Sequence, residues 1–344
     1  MNKRSVRKFC SILLIFSMCV RVASATGLDK RLMQALQQTV ASEEFISWMF
    51  WLETGRDIQP QPMIEPPPQV FTVHITQPMT APVPASIPPT QPMFSADDAD
   101  AVQIGGACSY EVDKQALLLR EAMPKAKSDG PQVLIVHTHS SEAYTPEAGW
   151  EYDESDPMRT GDDNYSVIRV GTQFEQVLQA HGIGVVHDTE LNDYPTYDGA
   201  YERMRVKIET YLAEHPSIRM VLDIHRDAVE DTDGTPMAFS ADVDGEQTAQ
   251  LMLVVGTDEG GLTHPNWQDN LSNAMKLQVL LEQDSHGICR PIDLRTERFN
   301  AHLSAGSVLV EVGASGNTLR EALRAAEHLG EAVAALLGGL EKNN

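Results

Sequence analysis

The sequence predicts an α/β fold, a mainly parallel sheet flanked by helices on both faces, and three observations lead to it. VLIVH, IRMVLDIH and SVLVEVG are continuous apolar runs, the pattern of strands buried on both faces rather than one. Between them lie stretches whose apolar residues recur every three or four positions, the period of a core-facing helix. The alternation continues from about residue 105 to the C-terminus with no internal repeat, which is the element order of a sheet covered on two sides.

Taken from the N-terminus, Lys3, Arg4, Arg7 and Lys8 precede the apolar run FCSILLIFSMCV, and the small residues ASA follow at 23–25. Residues 1–25 therefore read as a signal peptide or membrane anchor, and a run of about 12 apolar residues, short of the roughly 20 that span a bilayer, favours the cleaved signal. In residues 26–56, Leu32, Leu36, Val40, Phe45, Trp48, Met49 and Leu52 stand at approximately helical spacing, which predicts an amphipathic helical segment. Residues 57–104 are rich in proline, which fixes φ and removes backbone donors, so an extended spacer without packed sheet or helix is expected there. The catalytic domain is then 105–344. Its expected elements are strand 133–137, a helix over SVIRVGTQFEQVLQAHG, strand 184–188, a helix over Ala200–Glu214 and strand 218–225. Strand 250–256, a helix from near Asn266, strand 307–313 and a closing helix follow. In that last helix Leu319, Leu323, Ala326, Leu329, Val333 and Leu337 form one apolar stripe.

Composition narrows the function. Acidic residues outnumber basic ones 49 to 26, a net charge of −23, which argues against binding nucleic acid through its phosphates. Cys10 and Cys19 fall in the leader, and Cys108 and Cys289 are far apart in sequence, so no cysteine zinc site is visible and the latter two are a disulfide or two free thiols. Gly105 and Gly106 are not followed by the Lys-Ser or Lys-Thr of a phosphate loop, and no G-x-S-x-G nucleophile elbow is present.

Three apolar strands instead run into groups able to bind metal or move protons: VLIV into His137, His139 and Glu142, VLDI into His225, and SVLV into Glu311. Ligands collect beyond the carboxyl ends of strands in open α/β sheets, so these groups are expected to converge. His139, Glu142 and His225 supply a His, Glu, His set for a catalytic Zn2+ with one open position. Zinc lowers the pKa of a bound water from about 15.7 to about 7 and polarises a carbonyl, the two aids that amide hydrolysis needs. Glu311 is the expected general base. His137 is expected to support a ligand or touch substrate, and Asp223 to orient a ligand histidine. Arg226, Arg290 and Arg295 are candidates for holding substrate carboxylates in bidentate fashion.

At these residues the chain resembles the stage II sporulation protein P family. VLIVHTHSSEAYTP, the DDNYSVIRVG block, GVVHDTELNDYPTYDGAYERM, HPSIRMVLDIHRDA, VVGTDEG with HPNWQDNL, and LSAGSVLVEVGASGNTLREAL carry the likeness in family order. The resemblance implies a zinc amidase-like fold and N-acetylmuramoyl-L-alanine amidase activity, with endopeptidase activity on cross-links, in septal peptidoglycan removal and engulfment. It also implies the stage II sporulation proteins D and M as partners and an exported, envelope-bound enzyme. His139, Glu142, His225 and Glu311 match the family's three ligands and catalytic glutamate. Related amidases place the glutamate ligand further from the first histidine, so Glu147, Glu151 or an acid of YDESD stands as an alternative to Glu142. A zinc carboxypeptidase-like peptidase and an inactive wall-binding scaffold are the competing readings of the same residues.

Overall fold

The computed structural model describes residues 74–76, 94–194 and 196–338. The leader and the helical segment expected over 26–56 lie outside them. Among the described residues no helix is long and apolar enough to cross a membrane.

In chain order the elements are β1 (His74–Thr76), α1 (Ala96–Ala101), β2 (Ile104–Gly106), α2 (Lys114–Leu118), β3 (Val133–Val136), α3 (Val167–Ala180), β4 (Val185–His187) and α4 (Ala200–Glu214). Then come β5 (Met220–Asp227), β6 (Ser240–Val243), β7 (Glu246–Ala249), β8 (Leu251–Gly256), α5 (Trp267–Asp284), β9 (Ile292–Arg295), β10 (Ser307–Ala314) and α6 (Leu319–Leu337). Eight strands form one sheet in the order β1-β4-β3-β5-β10-β8-β9-β2, with β6 and β7 as a separate hairpin. β4, β3, β5 and β10 are mutually parallel, as are β8, β9 and β2. The two blocks meet antiparallel at β10 and β8. The fold is thus α/β and mainly parallel, as expected, with one reversal inside the sheet and an antiparallel edge strand, β1. β8 is reached from β5 through the β6–β7 hairpin instead of a crossover helix, the connection that carries a chain back to a parallel neighbour. That hairpin turns at Asp244-Gly245, both with positive φ, the backbone that an Asp-Gly turn favours.

Period-two alternation divides each central strand between two cores. Val133 and Ile135, Leu222 and Ile224, and Val308, Val310 and Val312 face the larger core, where Phe174 and Leu178 of α3, Leu271 and Met275 of α5, and Leu329 and Val333 of α6 meet them. Leu134, Val136, Val186 and Val221 face Met204, Ile208 and Tyr211 of α4 on the other side. Each of these side chains contributes about 1.5–3 kcal/mol on full burial. Helix ends are fixed locally: Ser166 caps α3 through Ile168 N, and Thr318 and Glu321 form a reciprocal capping box at the start of α6.

The packed domain begins before residue 105. Ser95 and Asp98 make a capping box for α1, and Ala99 and Val102 are buried in the larger core. After Pro92 the sequence SADDADA holds no proline, so the spacer expected over 57–104 is too long at its C-terminal end. β1, another proline-free stretch within that spacer, pairs antiparallel with β4 at the sheet edge, where a short strand needs partners on one side only. Cys108 and Cys289 are free thiols.

Candidate functional site

The sheet register brings the central pair together. Glu311 on β10 lies directly opposite His225 on β5, and alternation turns both toward the α4 side of the sheet. Asp223 shares that face two residues earlier. Just beyond Glu311 the strand breaks register before Ala314, with Gly313 at φ +66°. A Cβ there would stand 2.7 Å from Asn317 Oδ1 and 2.9 Å from Ala249 Cβ, so the turn that ends β10 requires glycine.

His225 is buried between two carboxylates. Its Nδ1 is 3.4 Å from Glu142 Oε2, and its Nε2 is 3.0 Å from Asp223 Oδ1, at ion-pair distance but out of hydrogen-bond alignment. Burial opposes its charge, yet Asp223 and Glu142 outweigh burial and hold its pKa well above the usual range. Burial alone would raise the Glu142 carboxyl, but the His225 hydrogen bond and charge, with Arg226 and His139, bring it below its ordinary value. Glu142 also accepts the Arg226 backbone N–H at 3.1 Å. Asp223 takes two hydrogen bonds from Thr138, at 2.8 Å from the backbone and 2.6 Å from the hydroxyl.

The His139 ring meets that of His225 edge-on at a centroid distance of 5.4 Å. Its other neighbours come from the loop ahead of α4 and from the first turn of that helix: Tyr197 stacks on it at 4.4 Å, and Tyr201 meets it edge-on at 5.5 Å. His139 Nδ1 is buried without a hydrogen-bond partner, 3.7 Å from Asp193 Oδ2. Asp193 is anchored by Ser140, by the backbone and hydroxyl of Ser141, and by Arg159 at 2.6 Å.

Glu311 is only partly exposed, and its Oε2 is buried with no partner. Burial, reinforced by the charges of Glu142 and Asp227 and opposed by His225 and Arg226, pushes its carboxyl up to about 8. It lines a cavity of about 480 Å³ whose walls also draw on Asp227 of β5, Met252 and Val254 of β8, Asp293 and Arg295 of β9, and Gly105 and Gly106 of β2.

The remaining sequence-predicted residues fall elsewhere. His137 is completely buried beneath α3, with Nδ1 3.1 Å from Ile224 O and Nε2 2.9 Å from His187 Nε2, so it presents no surface to a substrate. Burial and His187 lower its pKa to about 3. Of the two roles expected for His137, substrate contact is thus excluded, and alternation along the strand gives the reason: His137 continues the side of Val133 and Ile135, whereas His139 belongs to the loop that follows. Arg226 is likewise structural, since Nε donates to Ala143 O at 2.9 Å and Nη2 to Met158 O at 2.9 Å, tying two loops together. Arg295 does line the cavity. Among the alternative glutamates, Glu147 pairs with Arg320 and Glu151 accepts from Gly149 N, while Glu142 borders His225.

Among the described residues no three His, Cys, Asp or Glu side chains stand grouped at metal-ligating spacing. The donor chemistry fits zinc nonetheless. His225 Nδ1 and Glu142 Oε2, 3.4 Å apart, match the edge of about 3.3 Å between donors of a tetrahedral ion with bonds of about 2.0–2.1 Å. His139, whose ring centroid lies 5.4 Å from that of His225, and Glu311, opposite His225 in the register, each carry a buried atom without a hydrogen-bond partner, His139 Nδ1 and Glu311 Oε2.

The sequence model of stage II sporulation protein P matches residues 89–334. The chain belongs to the stage II sporulation protein P family. Stage II sporulation protein P of Bacillus subtilis strain 168 is 26% identical over 270 residues, covering 75% of this chain and 63% of its own length. This family member therefore spans less than two thirds of that curated relative. Among solved structures it is similar to an N-acetylmuramoyl-L-alanine amidase of Nostoc punctiforme, with TM-score 0.35 and 17% identity over 61% of this chain and 97% of that one. It is also similar to amidases of Mycobacterium smegmatis, with TM-score 0.35 and 14% identity over 61% and 99%, and of Clostridium difficile 630, with TM-score 0.34 and 15% identity over 63% and 100%.

Sequence reasoning missed Asp193, Arg159, Tyr197 and Tyr201. All but Arg159 lie in the NDYPTYDGAY segment, whose three tyrosines amid turn residues were the available signal for a loop with a task.

Proposed function

We propose that this protein is a zinc-dependent peptidoglycan hydrolase that cleaves the amide between N-acetylmuramic acid and L-alanine in the cell envelope during sporulation. The observation that carries the reading is Glu311. It is a carboxylate with a raised pKa, opposite His225 in the strand register and near Glu142, on the wall of a cavity of about 480 Å³.

His139, Glu142 and His225 would hold the zinc, which supplies polarisation of the amide carbonyl and acidification of the attacking water. Glu311 takes the proton from that water and delivers it to the departing amine, a task suited to a base whose pKa lies near neutrality. Tyr201 lines the same cavity, and burial with the nearby Asp223 and Glu311 charges holds its phenol well above its ordinary range, so it stays protonated as a hydrogen-bond donor for the developing oxyanion. Asp223 fixes the ring of His225, leaving Nδ1 toward Glu142. Septal wall is the proposed site of action, with the stage II sporulation proteins D and M as partners.

The test is metal dependence. The purified full chain should lose wall-degrading activity on chelation and regain it with about one zinc per chain, and His225→Ala should bind no zinc at that stoichiometry. Full activity in chelator would remove zinc from the mechanism.

A further inference from the structure

The turn between β9 and β10 holds the only adjacent pair of non-glycine residues with positive φ among the described residues, Phe299 at +45° and Asn300 at +60°. Asparagine tolerates the left-handed region, whereas phenylalanine enters it at a steric cost, and backbone held against such a cost persists only where its surroundings fix it. Here they do. Thr296 O accepts from Gly260 N at 3.0 Å, Arg298 Nη1 donates to Thr263 O at 3.1 Å, and Ala301 O accepts from Asn270 Nδ2 of α5 at 2.9 Å. Asn300 precedes a single 3-10 turn, Ala301–Leu303, yet its side chain makes no cap bond to that turn. It is buried, and its Nδ2 donates to Tyr201 O at 2.7 Å. The Phe299 ring lies 5.8 Å from the Tyr201 ring, and both residues line the cavity with Glu311.

From this we infer that Asn300 is a positioning residue that sets Tyr201 in the site, with Phe299 as the ring packed behind it. The inference rests on the oxyanion role proposed for Tyr201 and adds what keeps that phenol in place.

Helix α4 does not fix Tyr201 unaided. The residue stands in its first turn, where the N-cap, Gly199, offers no side-chain hydrogen bond. Met204, Ile208 and Tyr211 anchor the helix to the sheet only further along. Two buried asparagines hold consecutive carbonyls of the first turn: Asn192 Nδ2 donates to Ala200 O at 3.0 Å, and Asn300 Nδ2 to Tyr201 O. Asn192 belongs to the preceding loop, which Arg203 ties back to α4 itself through Asn192 O, Asp198 O and Thr196 O. Asn300 comes from the segment leading into β10, so its bond refers Tyr201 to the strand that carries Glu311. An oxyanion donor acts only when held at hydrogen-bond distance from the developing charge, so loosening this tie should lower turnover more than binding.

The test joins fluorine NMR of the full chain labelled with 3-fluorotyrosine to kcat and KM on soluble peptidoglycan fragments. The Tyr201 resonance is assigned by its loss in Tyr201→Phe. Asn300→Gly leaves the left-handed backbone free of strain and deletes the amide. It should move the Tyr201 resonance, keep zinc at the wild-type stoichiometry and lower kcat about tenfold with KM little changed. In a Tyr201→Phe background it should cost no further kcat. Asn300→Asp, which tolerates the same backbone but sets an acceptor against Tyr201 O, should behave alike. An unmoved Tyr201 resonance, a kcat equal to wild type, or an equal fall in kcat with and without the Tyr201 hydroxyl would overturn the inference. A moved resonance in a chain whose Tyr201→Phe variant hydrolyses as fast as wild type would leave the Asn300 tie standing and sink the oxyanion role, and a moved resonance with no hydrolysis by wild type would sink the amidase reading.

Discussion

Replacing Glu311 by Gln should make the metal-free protein more stable at alkaline pH and leave it nearly unchanged at acid pH. The folded protein holds the Glu311 proton more tightly than the unfolded chain does, because its pKa rises from 4.5 to about 8. A raised carboxyl contributes its full stability below the unfolded value, and that contribution is lost as pH climbs through the folded value. The wild type therefore sheds stability between about pH 4.5 and 8, and Gln, which carries no charge, does not. The shift sets an upper limit of about 5 kcal/mol. Glu311 retains contact with the cavity solvent and one carboxylate oxygen lacks a partner, so a gap on the order of 2 kcal/mol at pH 8.5 is expected. Urea unfolding of chelator-treated wild type and Glu311→Gln at pH 5 and 8.5 measures it. A gap that is the same at both pH values, or that widens toward acid, would refute the burial argument.

Gly171→Ala in α3 should lower stability by about 1–3 kcal/mol in urea unfolding despite the better helix propensity of alanine, and unchanged stability would contradict this. Its Cβ would stand 2.6 Å from His137 Nε2 and 2.8 Å from His187 Nε2, splitting the buried imidazole pair. Asp193→Asn removes the short Arg159 partner and the carboxylate nearest His139 Nδ1. Zinc affinity, read by chelator competition, should fall about 10–100-fold, and an unaltered affinity would separate Asp193 from the metal site. Arg226→Lys keeps the charge but cannot reproduce the fork that reaches Ala143 O and Met158 O, so proteolysis between residues 143 and 160 should accelerate; protection equal to wild type would show that the loop is held by other contacts.

The central strands were legible because burial on both faces makes them continuous apolar runs, and VLIV, MVLDI and SVLVEV lie within a residue or two of their expected positions. α6 was equally clear, with its stripe and the Thr318–Glu321 capping box. The hairpin β6–β7 was not recognised, although Asp244-Gly245 announces it, because SADVDGEQTA has no apolar alternation strong enough to frame the turn. The start of the domain was misplaced because proline frequency was averaged across a stretch that ends in a capped helix. At the site, strand-end residues were visible as points along the chain, and the register that sets Glu311 opposite His225 follows from the sheet order, which periodicity does not encode. Arg226 illustrates the opposite failure: a cationic residue next to a functional histidine reads as a substrate ligand, and its backbone-carbonyl partners come from loops distant in sequence.

The most direct test of the account is digestion of purified peptidoglycan by the full chain with and without zinc chelation, beside Glu311→Gln, with the products identified by mass spectrometry. Intact stem peptides with a free L-alanine amine are expected, formed only with zinc and reduced at least about 100-fold in the variant. Release of single amino acids from peptide ends would make the protein a carboxypeptidase, and stem-peptide release undiminished in Glu311→Gln would contradict the role assigned to that carboxylate.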